Sequence, residues 1–408
     1  MFKKIVSLVL AVVLCLGVTL ALASCGEKEF KVGFICLHDE NSTYDKNFID
    51  AAYAAQKALG LKDSQVIIKK NIPEGDECYQ AACELVDEGC SVIFADSFGH
   101  EEYMLKAARQ YPDVQFCHAT GTSAKTENLD NFHNAFASIY EGRYLAGVAA
   151  GMKLNAMLAA GDITPEQLKI GYVGAFTYAE VVSGYSSFFL GVKSQLSDEN
   201  KDKLKMLVKF TGSWYTVTGE REAANDLMDQ GCVLISQHAD SMGAPSACQA
   251  RKVPNVSYNG STVASCGDSF IVASKIDWTP YFEYMITNTK NGTSFDKDYC
   301  GTISTGSVVL TDVNGKVAAA GTQEMINSVR DQLIAGTLHV FDTSKFTVGG
   351  VKLADGTKAS GTEIAVVSDG YFHESDVTLY RSAPYFDLDI DGIEIVGGKV
   401  FNPIKWDD

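Results

Sequence analysis

The sequence predicts an α/β protein made of two doubly wound lobes, hinged around a central cleft. Three observations predict it. Apolar strand-like runs alternate with helical runs from Lys31 to Phe136. The same order then restarts at Tyr140 and continues to Tyr258, an alternation that builds parallel sheets covered by helices. The stretch Lys169–Leu196 contains one whole unit: an apolar run at Ile170–Val173, a turn at Gly174-Ala175, and Val181, Val182, Tyr185, Phe188 and Val192 at helical spacing. Parallel sheets bind ligands where strand ends meet the following turns. Phe176 sits in such a turn, where a large ring either caps the core or stacks on a ligand.

In the first lobe, Lys31–Leu37 reads as a strand and His38–Asp45 as a polar loop. Asn47–Leu59 is a helix, Gln65–Lys69 a strand, Asp76–Glu88 a helix and Ser91–Ala95 a strand. Glu101–Gln110 is a helix, Val114–Ala119 a strand, and Asn131–Phe136 a fifth strand at the sheet edge. The second lobe opens on a helix, Tyr140–Leu154. Its strands are Ile170–Val173, Met206–Phe210, Val233–Gln237 and Asn255–Tyr258, and its helices Ala179–Gln195, Gly219–Gln230 and Met242–Ala250. Phe270–Ile276 and Gly301–Leu310 read as strands returning across the lobe boundary, with a helix at Pro280–Asn288 between them and another at Glu324–Ala335. From His339 onward short apolar runs alternate with Gly turns, as in Lys345–Leu353, Glu363–Val367 and Ile393–Phe401. The expected boundaries are 31–137 plus about 270–312 for lobe one and 138–269 plus about 313–342 for lobe two. Residues 343–408 form a β-rich appendage packed on one lobe.

A chain of 408 residues, 46% of them hydrophobic, is long enough for a large core and more than one domain. The N-terminus reads as a targeting segment. Lys3 and Lys4 precede an apolar run from Ile5 to Ala23, followed by Leu22-Ala23-Ser24-Cys25. This box resembles the processing site of bacterial lipoproteins. It implies a signal peptide over 1–24, lipid on Cys25 and a short tether over 25–30; a transmembrane anchor is the alternative. Removing the signal takes the net charge from −17 to about −19, which opposes nucleic-acid phosphates. Nine of the eleven cysteines then remain at scattered positions with no CxxC. They read as buried thiols, with Cys78–Cys83 or Cys83–Cys90 pairing as the alternative.

No nucleotide-cradling glycine motif, HExxH or GxSxG occurs. Asp387–Gly392 copies the first half of a calcium loop, but Gly398 stands where the bidentate Glu belongs, so it reads as a solvated turn. His238 and Asp240 lack a third metal ligand at useful spacing. No metal or cofactor is expected. The strand ends, taken together, carry Asp45, Phe48, Ser97, Phe98, Gly99 and His118–Gly121 in the first lobe. In the second they carry Phe176, Tyr178, Ser213–Tyr215, Gln237–Ser241 and Asn259. Flat rings beside acids, amides and hydroxyls suit a planar polar heterocycle.

The motifs IYEGRYLAGVAAG at Ile139–Gly151, GYVGAF at Gly171–Phe176, EVVSGYSSFFLG behind it, Trp214-Tyr215, QHADS at Gln237–Ser241 and GTLHVFD at Gly336–Asp342 occur in order. Together they resemble the basic membrane protein (BMP) family: lipoprotein substrate-binding proteins of ABC importers, similar to purine-nucleoside receptors and an adenine-binding branch. The resemblance implies a type I periplasmic-binding-protein fold with three crossovers, and a lipid-anchored, non-enzymatic receptor, expected to be a monomer. Its implied partners are a membrane permease and a purine base or nucleoside. It implies ligand contacts from Asp45 and Phe48 in a DxxF motif, from Ser97, Phe98 and Gly99, and from Phe176, Trp214 and Asp240. At Ser257-Tyr258-Asn259-Gly260 many members carry an Asp; here Asn259 takes that place. The alternatives are a receptor for a sugar or signalling molecule, a nucleoside hydrolase, and a surface adhesin.

Overall fold

The structure, a computed structural model of the chain, describes residues 29–377 and 380–407. The proposed signal segment and lipidated Cys25 lie outside them. Strands β1 (Val32–Ile35), β2 (Val66–Lys69), β3 (Val92–Ala95), β4 (Gln115–Ala119), β5 (Phe132–Ala137) and β11 (Asp298–Gly301) form one parallel sheet, ordered β11-β5-β4-β3-β1-β2. A second sheet contains β6 (Lys169–Gly174), β7 (Lys205–Phe210), β8 (Ile235–Gln237), β9 (Asn255–Tyr258), β10 (Phe270–Ile276), β12 (Val308–Leu310) and β15 (Ile393–Val396). Its order is β12-β10-β9-β8-β6-β7-β15, parallel except for the β10–β12 pair. The remaining strands, β13 (Val367–Ser368) and β14 (Tyr371–Phe372), form a small antiparallel pair. Central strands such as β1 and β3 are buried at every position, as expected of parallel strands covered on both faces.

The first lobe carries helices α1 (Thr43–Ala58), α2 (Asp76–Asp87) and α3 (Glu101–Gln110); the second carries α4 (Ile139–Ala160), α5 (Ala179–Gln195), α6 (Val217–Asp229) and α7 (Gly243–Arg251). Helix α8 (Thr279–Asn291) packs on α1, and α9 (Thr322–Ile334) packs on α4. The α4–α5 contact explains two of the glycines in the sequence motifs. A Cβ on Gly147 would lie 2.2 Å from the Phe188 carbonyl oxygen, and one on Gly191 would lie 2.1 Å from that of Tyr144. These helices therefore touch backbone to backbone, which places α5 and the turn before it.

The chain passes between lobes three times: at residue 138, at 277–278 and at 302–307. This corrects several expectations. Phe270–Ile276 belongs to the second sheet rather than the first lobe, because it pairs with β9 and β12. Gly301–Leu310 is not one strand. Its first residue ends β11 in the first sheet, its last three are β12 in the second, and a turn closed by Thr302 and Thr305 separates them. Asn131–Phe136 is not an edge strand, since β11 pairs beyond it. Helix α1 starts at Thr43, inside the expected loop, because the Ser42 hydroxyl caps the Asp45 amide at 3.2 Å.

The tail is mostly irregular rather than β-rich. Phe346, Val366, Phe372, Phe386 and Ile390 join the core of α4 and α5, so it packs on the second lobe. Polar contacts also reach the first: Lys125 Nζ donates to the carbonyls of Val377 and Tyr380, each at 2.7 Å, and the Ser382 amide donates to Asp298 at 3.0 Å. In the calcium-like stretch, Asp387 accepts from Ser360, Asp389 pairs with Lys399, and Asp391 accepts from Thr347 and the Gly350 amide. The three carboxylates are thus committed to separate partners. The nine cysteines among the described residues are free thiols. Among the described residues no helix is long and apolar enough to cross a membrane.

Candidate functional site

A tight pocket lies between the lobes, at the place where ligands bind in this architecture. Leu37, His38, Tyr44, Asp45, Ser97, Phe98 and Thr120 line it from the first lobe; Glu180, Trp214, His238, Asp240 and Tyr258 line it from the second. The lobes touch across it. The Thr43 amide and hydroxyl each donate to the Asp240 carbonyl at 3.1 Å, Asn47 donates to Asn259 at 3.2 Å, and Phe98 stacks on Tyr178 with ring centres 5.3 Å apart. This is a closed cleft.

Asp45 stands in the first turn of α1. Its carboxylate accepts from the His38 amide at 2.7 Å, the Ser42 hydroxyl at 2.6 Å and the His38 ring at 3.3 Å. Burial works to raise its pKa, but these hydrogen bonds outweigh it and hold the carboxyl below its usual range. It is therefore ionised at neutral pH. Behind it Asp96 is fully buried, accepting from the Leu37 amide at 3.1 Å. Burial, then the charge of Asp45, push the Asp96 carboxyl well above the usual range. Ser97 faces the pocket, but its hydroxyl donates to Glu74 at 2.5 Å. Thr120, a β-branched residue, is held at φ 63°, a strained conformation of the kind that collects at binding sites.

The second-lobe wall hangs on a buried relay. Arg143, fully buried in α4, donates from Nη2 to the Tyr172 hydroxyl at 3.0 Å, to Ser236 at 2.9 Å and to the Gln237 carbonyl at 3.2 Å. An arginine only donates, so the Tyr172 oxygen accepts and its own proton points to His238 Nδ1 at 3.1 Å. The His238 proton then lies on Nε2, which donates to Glu180 at 2.9 Å. The chain fixes one histidine tautomer and aims Glu180 at the pocket. Asp240 is raised well above its usual range by burial, by Asp45, and by Glu220 and Glu180. The lining thus holds three acids and two imidazoles, and no lysine or arginine. It suits a flat ligand rich in N–H or O–H donors.

Among the expected contacts, Asp45, Ser97, Phe98, Trp214 and Asp240 line the pocket. The others lie behind it. Phe48 stacks on Trp278 at 4.5 Å in the core of the first lobe, and Tyr44 covers it from the pocket. Gly99 presents only its amide, bonded to Glu74 at 2.8 Å. Phe176 is buried, edge-on to Trp214 at 5.0 Å, and supports that wall from behind. Asn259 accepts from Asn47 and donates to Asp240 at 3.4 Å, so it braces closure. Tyr44, Glu180 and Tyr258 are pocket residues that the sequence reading does not single out, whereas His238 belongs to the strand-end stretch Gln237–Ser241 that it does. Tyr44 and Glu180 lie in the first turns of α1 and α5, Tyr258 ends β9 and His238 follows β8, all beside the strand ends where cleft residues collect in this architecture.

Two parallel-sheet lobes, crossed three times by the chain and closed on a small pocket, define the type I periplasmic-binding-protein fold. The profile of the family described as ABC transporter substrate-binding protein, PnrA-like, matches residues 34–340. The chain belongs to that family, whose members work outside the cytoplasm with a small-molecule ligand and a membrane permease. It is 28% identical over 349 residues to a purine-binding protein of Brucella abortus, covering 84% of this chain and 93% of that protein. It is 31% identical over 255 residues to a Haloferax volcanii protein assigned as an ABC-transporter glucose-binding protein, covering 62% and 60% respectively. A solved solute-binding protein from Aeropyrum pernix K1 superposes with a TM-score of 0.63 at 15% identity, over 76% of this chain and 93% of that one. One from Conexibacter woesei superposes at 0.58 and 21% identity, over 76% and 98%. At such identities the likeness is one of fold.

Proposed function

We infer that this chain is the solute receptor of an ABC importer and that it captures a purine base or nucleoside between its lobes. The observation that carries this reading is the pairing of ring faces from Phe98, Trp214, Tyr44 and Tyr258 with the acids Asp45, Glu180 and Asp240. Purines stack on aromatic faces. Their amino and ring N–H groups, and the hydroxyls of a ribose, donate to carboxylates. A phosphate would meet three acids and no cation, so nucleotides are rejected. The Brucella abortus relative, a purine-binding protein, supports the same ligand class. Phe48, Gly99, Phe176 and Asn259 act from behind as supports. Ligand favours the closed state by differential affinity, and the closed receptor meets the permease with the ligand chemically unchanged. Lipid on Cys25 holds the receptor, as a monomer, to the outer face of the cell membrane.

Mass spectrometry of the ligand that co-purifies tests the reading. A purine is expected; a sugar with no heterocycle would overturn it. Sugar binding is the second reading, favoured by the likeness to the Haloferax volcanii protein, since sugar hydroxyls also donate to carboxylates. Incubation with adenosine should return adenosine, and free adenine would make the protein a hydrolase. Metabolic labelling with a fatty acid should mark the chain and be lost on Cys25→Ser.

A further inference from the structure

The family match ends at residue 340, yet the chain returns to the pocket near its far end. After β15 has paired beside β7, the last residues leave the sheet and cross the two loops that follow β6 and β7. The Thr177 amide donates to the Val400 carbonyl at 2.7 Å, and the Val400 amide donates to the Thr177 hydroxyl at 2.9 Å. The Tyr178 hydroxyl donates to the Phe401 carbonyl at 2.9 Å. The Ile404 amide donates to the Gly212 carbonyl, and Trp406 Nε1 to the Thr211 carbonyl, each at 2.8 Å. The surfaces beneath are shaped for this segment. Gly212 has φ 66°, and a Cβ there would lie 2.6 Å from Ile404 Cγ1. A Cβ on Gly219 would lie 2.5 Å from the Trp406 ring.

The two loops so held carry Trp214, which lines the pocket, and Tyr178, which packs beside Phe176 and stacks on Phe98 of the other lobe. The geometry points to Val400, Ile404 and Trp406 as positioning residues: a C-terminal strap that holds the second lobe's aromatic wall in its ligand-binding arrangement. The strap touches no ligand. It acts through Thr177–Tyr178 and Thr211–Trp214, and a displacement of a few tenths of an ångström in such a wall is enough to lower affinity. This inference rests on the pocket being the ligand site, and the test separates the two.

The parent chain, a variant lacking residues 399–408 and Trp406→Ala are titrated with adenine, adenosine and guanosine by calorimetry, and their thermal midpoints are measured alongside. Both variants are expected to bind about tenfold more weakly, with Trp406→Phe close to the parent. Unchanged affinity in both variants overturns the strap, as does a loss of affinity matched by melting below the assay temperature. A ligand-free readout stands beside this one. In Trp406→Phe the remaining tryptophans are Trp214 and Trp278, and Trp278 is shielded in the first-lobe core. Acrylamide quenching therefore reports Trp214, and it should increase when residues 399–408 are removed. If truncation prevents folding, Ile404→Ala in the Trp406→Phe background replaces it, Ile404 being exposed. Should none of the purines bind the parent, the ligand reading fails, and unchanged quenching alone would then overturn the strap.

Discussion

On the first-lobe side of the pocket, Asp45 is fixed by His38 and Ser42, seven and three residues before it. On the second-lobe side, Glu180 is aimed through His238, Tyr172 and Arg143, and the loops beside it are held by Val400, Ile404 and Trp406. One wall is built by a helix cap and its neighbours, the other by partners far away in the chain. A locally built wall forms with its helix, whereas a wall assembled at long range depends on the whole lobe being folded. The first supplies a fixed carboxylate. The second supplies an adjustable surface whose shape follows the core behind it.

Four experiments break or sharpen that contrast. Arg143→Ala should cost the most, about 3–4 kcal/mol, because Tyr172, Ser236 and the Gln237 carbonyl lose a buried donor together and a large cavity opens. Urea denaturation measures it, and a loss below about 1 kcal/mol would detach the second wall from this residue. Next comes Asp45→Asn, expected to weaken purine binding by about 2–3 kcal/mol and to cost a smaller amount of stability, because the charged acceptor of the His38 amide and the Ser42 hydroxyl is lost. If calorimetry shows the two losses in the reverse proportion, the first wall is structural. Trp214→Ala should weaken binding by about 1–3 kcal/mol, and more than Phe176→Leu does. Equal effects would mean that Phe176 touches the ligand.

The smallest effect is a pH dependence. The folded pKa of Asp96 lies above its unfolded value of 3.8, so the folded chain keeps a proton that the unfolded chain releases. That costs stability as pH rises above the unfolded value. Asp96→Asn should then be more stable than the parent by about 1 kcal/mol near pH 8, with the gap narrowing toward about pH 4. His100, whose Nδ1 lies 3.9 Å from Asp96, is pushed down to about 4 mainly by burial, so it adds to the difference only near the acid end of this window. A gap constant with pH would sink the assignment of the proton to Asp96.

The same contrast explains what was legible in the sequence. Asp45, Ser97, Phe98, Trp214 and Asp240 follow strands in apolar runs of clear period, so their places at the cleft are readable. Phe48 and Phe176 stand in equally suggestive positions, but which side of a turn a ring faces depends on tertiary partners such as Trp278 and Trp214. The break at Thr302–Ser307 carries a readable signal: Ser304, Thr305, Gly306 and Ser307 form a turn-type cluster, Gly306 has φ 78°, and the Ser307 amide donates back to the Thr302 carbonyl at 3.0 Å. The part in the second wall played by Arg143 is hidden. A charged residue in an apolar helix looks like an interruption until its buried acceptors are known.

Both sheets are completed from the far end of the chain. Strand β11 closes beside β5, and β15 closes beside β7, where Ile393 pairs with Met206. A chain emerging N-terminus first therefore cannot finish either lobe until Asp298–Gly301 and Ile393–Val396 have followed. Each sheet edge thus depends on contacts of long sequence separation, which cost more loop-closure entropy and form more slowly than pairings between neighbouring strands.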